Sequence, residues 1–156
     1  MSIPYGRQSI SPEDIEAVVK ALSSEFLTTG PEVEKFESAI SEIANAQYAV
    51  VVSSGTAALH CAYFAADLKP GDEVITTPLT FVATAAMASM FGATIKFADV
   101  QADTGNIDPE SVKSLVTSKT KVIAGVDYAG HPVDIDELKE IADNAGALFL
   151  EDAAHS

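Results

Sequence analysis

Residues 121–150 read KVIAGVDYAGHPVDIDELKEIADNAGALFL. The run Lys121–Val126 has the continuous apolar character of a strand buried on both faces. Ile135, Leu138, Ile141 and Ala142 then fall at helical spacing, and Gly146 stops that helix before a second apolar run, Ala147–Leu150. Strand, helix and strand in so short a stretch predict a parallel pair, because parallel neighbours need a crossover and a helix supplies one.

The same alternation extends toward the N-terminus. Ala49–Ser53 (AVVVS), Glu73–Thr77 (EVITT) and Thr94–Val100 read as strands, and Thr56–Ala66 and the alanine-rich Phe81–Phe91 read as helices. Asp108-Pro109 opens a further helix carrying Val112, Leu115 and Val116. Five strands alternating with helices predict an α/β fold with a mainly parallel sheet covered on both faces, whose ligands sit beyond the carboxyl ends of the strands. Further out, Ser11-Pro12-Glu13-Asp14 is a helix entry, with Ile15, Val18, Val19 and Leu22 on one face. A second helix from Pro31 is expected to turn Val33, Phe36, Ile40 and Ile43 inward, and Glu25–Gly30 between the two has neither period and reads as a loop.

Composition narrows the function. At 156 residues a soluble domain buries roughly 70% of its unfolded surface. Nine Lys plus Arg against 23 Asp plus Glu give a net charge of −14, which repels nucleic acid and anionic membranes. A phosphate-bearing ligand must then be held by local backbone amides. The single cysteine, Cys61, excludes an internal disulfide and, in an apolar helical stretch, is expected to be a buried structural thiol. The start MSIPYGRQSI lacks a signal-peptide core, and the longest apolar tract, Phe81–Ile95, is too short and too polar to span a bilayer, so cytoplasm is the default.

Three segments can carry chemistry. Ser53-Ser54-Gly55-Thr56-Ala57-Ala58-Leu59 leads into a helix and aims free amides and the positive helix end at one spot, an anion cradle whose plain alternative is an ordinary strand-to-helix turn. Thr76-Thr77-Pro78-Leu79-Thr80-Phe81 ends a strand with an aromatic that can stack on a flat ligand or simply pack in the core. Glu151-Asp152 ends the last strand, with His155 three residues on; an acid there can bond a cationic ring nitrogen, as a pyridinium cofactor requires. A metal-binding role for the acidic pair is disfavoured because no Walker A loop accompanies it. His60 reads as a packed or rim residue, and His131 lies in the turn-like Tyr128-Ala129-Gly130-His131-Pro132.

With FLTTGPEVEKFE, SSGTAALH, TTPLTFVAT, GNIDPE, VDYAGHPVDIDEL and LEDAAHS in this order, the chain resembles the DegT/DnrJ/EryC1/StrS sugar aminotransferases among the fold-type I pyridoxal-phosphate enzymes. The resemblance implies an αβα sandwich, with residues 1–30 an N-terminal arm and helix and 31–156 the first part of the large cofactor-binding domain, the remainder and a small C-terminal domain lying outside the chain. It implies pyridoxal 5′-phosphate held by Gly55, Thr56 and Ala57 at its phosphate, Phe81 against its ring, Asp152 at the pyridinium nitrogen and His155 at the phenolic oxygen or ring face. Tyr5, Glu25, Phe26, Leu27, Thr28 and Gly55 match positions that contact the nucleotide sugar.

TTPLTFVAT with VDYAG is closest to the branch that aminates the 4-keto carbon of a UDP-linked 4-keto-6-deoxy-N-acetylhexosamine, on the way to pseudaminic acid, with an amino acid, usually glutamate, as donor. A homodimer is implied as well. The family's Schiff-base lysine follows the DAAHS motif and is expected beyond Ser156, since no lysine from Lys20 to Lys139 matches it; the chain alone is therefore expected to be inactive, with no catalytic residue of its own. A histidine at that position would instead mark the related pyridoxamine-phosphate-dependent sugar dehydratases. The reading from another class is a non-catalytic, truncated binding module.

Overall fold

A computed structural model of the chain describes residues 7–156, and the chain divides into two compact units after Val51. In the first unit, α1 (Pro12–Leu22) opens with a reciprocal cap: Ser11 N donates to Asp14 Oδ2 at 2.8 Å and Asp14 N donates to Ser11 Oγ at 3.3 Å. The second helix, α2 (Pro31–Ile43), starts on Pro31, whose missing N–H is no loss in a first helical turn. Val51 N donates to Glu37 Oε1 at 2.9 Å and ties the following segment back to α2. The inward placement expected for Val33, Phe36, Ile40 and Ile43 is corrected: all four are exposed, Ile43 at 82%, and neither helix contains a buried residue. Their spacing is amphipathic, but an apolar stripe is buried only where another layer lies across it, and these helices have no sheet in their own unit.

The second unit runs α3 (Gly55–Ala65), β1 (Glu73–Thr76), α4 (Ala83–Ser89), β2 (Thr94–Phe97), α5 (Pro109–Leu115), β3 (Thr120–Val126), a 3-10 turn at Tyr128–Gly130, α6 (Ile135–Ala145) and β4 (Leu148–Asp152). The sheet is parallel throughout, in the order β2-β1-β3-β4, with Val74 opposite Ile95 and Val122, and Val126 opposite Asp152. Side chains alternate across it. Val74 and Val122 join Leu59 and Tyr63 of α3 and Ala88 of α4, whereas Ile75 and Ile123 join Val112 of α5 and Leu138 and Ala142 of α6. Helices therefore cover both faces, as the predicted α/β sandwich requires.

Four strands form where five were expected. Ala49–Ser53 is not a strand, and Val50 is 77% exposed. A strand exists only with a hydrogen-bonded neighbour, and the described sheet offers this segment none. The strand expected over Thr94–Val100 ends at Phe97, and Val100 makes an isolated antiparallel bridge to Ile107 instead.

Candidate cofactor site

The strand order turns at β1 and β3: the chain leaves β1 toward β2 on one side and returns through β3 to β4 on the other. Loops at such a reversal diverge and open a crevice at the carboxyl ends of the strands. Two of the three predicted segments, Thr76–Phe81 and Glu151–His155, come from these ends. The third supplies the first turn of α3.

At α3, Ser54 is an extended N-cap whose Oγ accepts from Ala57 N at 3.2 Å. The Ala57 amide thus already has a partner, and the Gly55 and Thr56 amides, in the first turn, have no intrahelical acceptor. Ser54 Oγ keeps its own hydrogen to donate outward. A Cβ built on Gly55 would meet nothing within 4 Å, so open space lies over the helix start.

At β1, Leu79 N donates to Thr77 Oγ1 at 3.1 Å, which folds the loop around Pro78 and carries it to Phe81. Phe81 is 69% exposed and does not pack in the core, the bland alternative for an aromatic here. Its ring face is free for a flat partner.

At β4, Asp152 is half-buried and its Oδ2 accepts from Thr84 Oγ1 at 2.7 Å. Thr84 is fully buried, and its carbonyl accepts from Tyr63 Oη at 2.8 Å. Burial, and after it the negative charge of Asp152, pushes the Tyr63 phenol up, so it remains a neutral donor. A cavity of about 260 Å³ has Gly55, Asp152 and Ala153 in its wall, so the first residue of α3 and the acid share one space.

The turn after β4 is locked by groups that the sequence did not single out. Asp127, nearly fully buried at the end of β3, accepts from Val133 N at 3.1 Å and from Ser156 Oγ at 2.8 Å. Asn106, also buried, donates to the carbonyls of His131 and Pro132, both at 2.9 Å, and accepts from Tyr128 N at 3.0 Å, clamping the Tyr128–Pro132 loop. Gly130 has φ +84°, and a Cβ there would stand 2.8 Å from the His155 carbonyl oxygen. His155 itself is exposed. Glu151 is exposed beside Asp152; partial desolvation, and then the charge of Asp127, raises its carboxyl above the ordinary glutamate value.

Glu25, Phe26, Leu27 and Thr28 are exposed in the loop between α1 and α2, within the first unit, and Tyr5 lies outside the described residues. The thiol of Cys61, expected to be buried, is exposed on α3. The apolar residues around it in sequence encircle the helix, so period alone did not say which side the sheet would cover. His60 packs as a partly buried rim residue, its ring 5.1 Å from that of Phe91. No described helix is long and apolar enough to cross a membrane.

The profile of the DegT/DnrJ/EryC1/StrS aminotransferase family matches residues 8–156, and the chain belongs to that family. Among solved structures, the aminotransferase from Psychrobacter cryohalolentis is 39% identical, with a TM-score of 0.91 over 98% of this chain and 40% of its own. PseC of Helicobacter pylori, an aminotransferase involved in pseudaminic acid biosynthesis, is 34% identical, with a TM-score of 0.87 over 95% of this chain and 40% of its own. A GDP-4-keto-6-deoxymannose-3-dehydratase holding a trapped PLP-glutamate geminal diamine is 30% identical, with a TM-score of 0.92 over 99% of this chain and 42% of its own. The chain thus spans about two fifths of the length of these relatives. The fold is that of the pyridoxal-phosphate aminotransferases, and the expected cofactor agrees with the one trapped in the dehydratase.

The residues fit that cofactor on their own chemistry. An amide cradle suits a phosphate, an uncovered aromatic suits a flat ring, and a carboxylate anchored through one oxygen suits a protonated ring nitrogen. Gly55 of the cradle and the Asp152 carboxylate line one cavity.

Proposed function

We propose that this protein serves a pyridoxal-phosphate-dependent transfer of an amino group, from glutamate, to the 4-keto carbon of a UDP-linked 4-keto-6-deoxy-N-acetylhexosamine, in the cytoplasm and as a homodimer. The observation that carries the reading is Asp152, held at the end of β4 by Thr84 and facing the cavity shared with Gly55. When bound, pyridoxal phosphate supplies an electron-accepting pyridinium ring. The Gly55 and Thr56 amides and the Ser54 and Thr56 hydroxyls bind its phosphate, with Ala57 N contributing where it leaves Ser54 Oγ. Phe81 covers one ring face and excludes water from it. Asp152 holds the proton on the ring nitrogen, and His155 meets the phenolic oxygen or ring face. Tyr5, Glu25, Phe26, Leu27, Thr28 and Gly55 receive the nucleotide sugar.

Likeness to both PseC and the dehydratase supports keeping one second reading, loss of a sugar hydroxyl in place of amination. The full-length protein, carrying the Schiff-base lysine and given glutamate and the UDP-4-keto sugar, is expected to form 2-oxoglutarate and a 4-amino sugar in equal amounts, and Asp152→Asn in it is expected to lower that rate at least ~100-fold. A deoxygenated product would favour the dehydratase. Neither product, with no pyridoxal phosphate bound, would leave a binding module.

A further inference from the structure

We infer that Thr84 is a positioning residue: its hydroxyl, itself fed by Thr80, fixes the Asp152 carboxylate so that the other oxygen meets the cofactor's ring nitrogen. This rests on the proposed pairing of Asp152 with that nitrogen. Each hydroxyl has one hydrogen to give. Thr84 Oγ1 lies 2.7 Å from Asp152 Oδ2 and 3.3 Å from the Phe81 carbonyl, so the shorter, charge-assisted bond to the carboxylate takes its hydrogen. The Thr80 hydroxyl, 2.9 Å from Thr84 Oγ1, must then be the donor of that pair. The result is a directed chain, Thr80 to Thr84 to Asp152 Oδ2.

Packing does not ask for this hydroxyl. Thr84 is fully buried next to Ala83, which packs in the apolar layer with Leu59, Ala88 and Val122, and valine would match the shape of Thr84. A buried hydroxyl is costly unless bonded, and a β-branched residue is a mediocre helix former. The threonine is explained by what it holds. Through its carbonyl it also accepts from Tyr63 of α3, so one residue of α4 links the helix that carries the phosphate cradle to the strand that carries the acid. The spacing between the two ends of the cofactor is thereby set by Tyr63, Thr84 and Asp152 together.

The test uses the protein loaded with pyridoxal phosphate labelled with ¹⁵N in the ring, and follows the ring-nitrogen shift against pH. Thr84→Val keeps the shape and removes the donor; it is expected to lower the midpoint by about one pH unit, a roughly tenfold loss of proton affinity at the ring nitrogen. Thr84→Ser is expected to restore it. Should Thr84→Val fail to fold, Thr80→Val carries the test, with a smaller shift in the same direction. A wild-type midpoint in the folded, loaded valine variant overturns the proposal. Asp152→Asn separates the two readings: if it abolishes the protonated signal while Thr84→Val does nothing, only the role of Thr84 falls, and if it too changes nothing, the pairing of Asp152 with the ring falls and the role of Thr84 with it.

Discussion

The two helices of the first unit and the four of the second were read by the same rule, and the rule succeeded differently in each. In α1 and α2 the caps and period placed the helices correctly, yet every large apolar side chain on them is exposed. In α6 the same period put Leu138 and Ala142 at full burial against Ile75 and Ile123. Amphipathic spacing thus specifies a helix and a face, whereas the sheet decides whether that face is buried.

The sharpest way to break this comparison is to truncate one apolar residue in each unit. Leu138→Ala is expected to cost about 2–5 kcal/mol, as a cavity in a packed core does. Val18→Ala, on the exposed face of α1, is expected to stay within about 0.5 kcal/mol of wild type. Urea titrations of both variants decide it, and equal losses would mean that α1 packs as tightly as α6.

Gly130→Ala is expected to cost about 1–3 kcal/mol, since the residue would be held at positive φ with its Cβ against the His155 carbonyl. The same variant is expected to weaken pyridoxal phosphate binding by moving the His155 turn. A thermal melt with and without cofactor reads both effects, and an unchanged cofactor shift would separate this loop from the site.

The caps offer a finer contrast. Ser54→Ala removes the acceptor of Ala57 N and is expected to cost about 1 kcal/mol in the global unfolding of the second unit. Ser11→Ala removes the cap of α1 but is expected to show mainly as lost helical circular dichroism, with little change in the main unfolding midpoint. Identical effects on that midpoint would show the two units unfolding together.

The smallest expected effect is a pH dependence at Glu151. Its carboxyl is raised in the folded chain, so its protonated form favours folding and that contribution is lost as pH rises through the folded value. Glu151→Gln is therefore expected to be slightly stabilising at neutral pH and indistinguishable from wild type at pH 4, as read by denaturation at the two pH values. Screening at this exposed position keeps the effect small.

Much of the site was legible because its groups announce themselves locally. Ser54 stands before a helix, and Asp152 ends an apolar run. Thr84 is not legible locally, because a threonine within TAAMAS looks like any small helical residue; its one unusual mark, a hydroxyl four residues after Thr80 in an alanine-rich helix, gains meaning only with Asp152 beside it. Asp127 and Asn106 were likewise ordinary loop acids and amides until burial left them no water to bond.

The sequence by itself determined the α/β class, the helix starts and the parallel arrangement, since period, caps and crossover length act over a few residues each. Only the tertiary structure decided that AVVVS would not pair, that α1 and α2 would keep their apolar faces exposed, and that Thr84 would reach Asp152 across 68 positions of chain. The physical reason is the same in all three: strand pairing, burial and a buried hydrogen bond are properties of two partners, and one stretch of sequence carries only its own half.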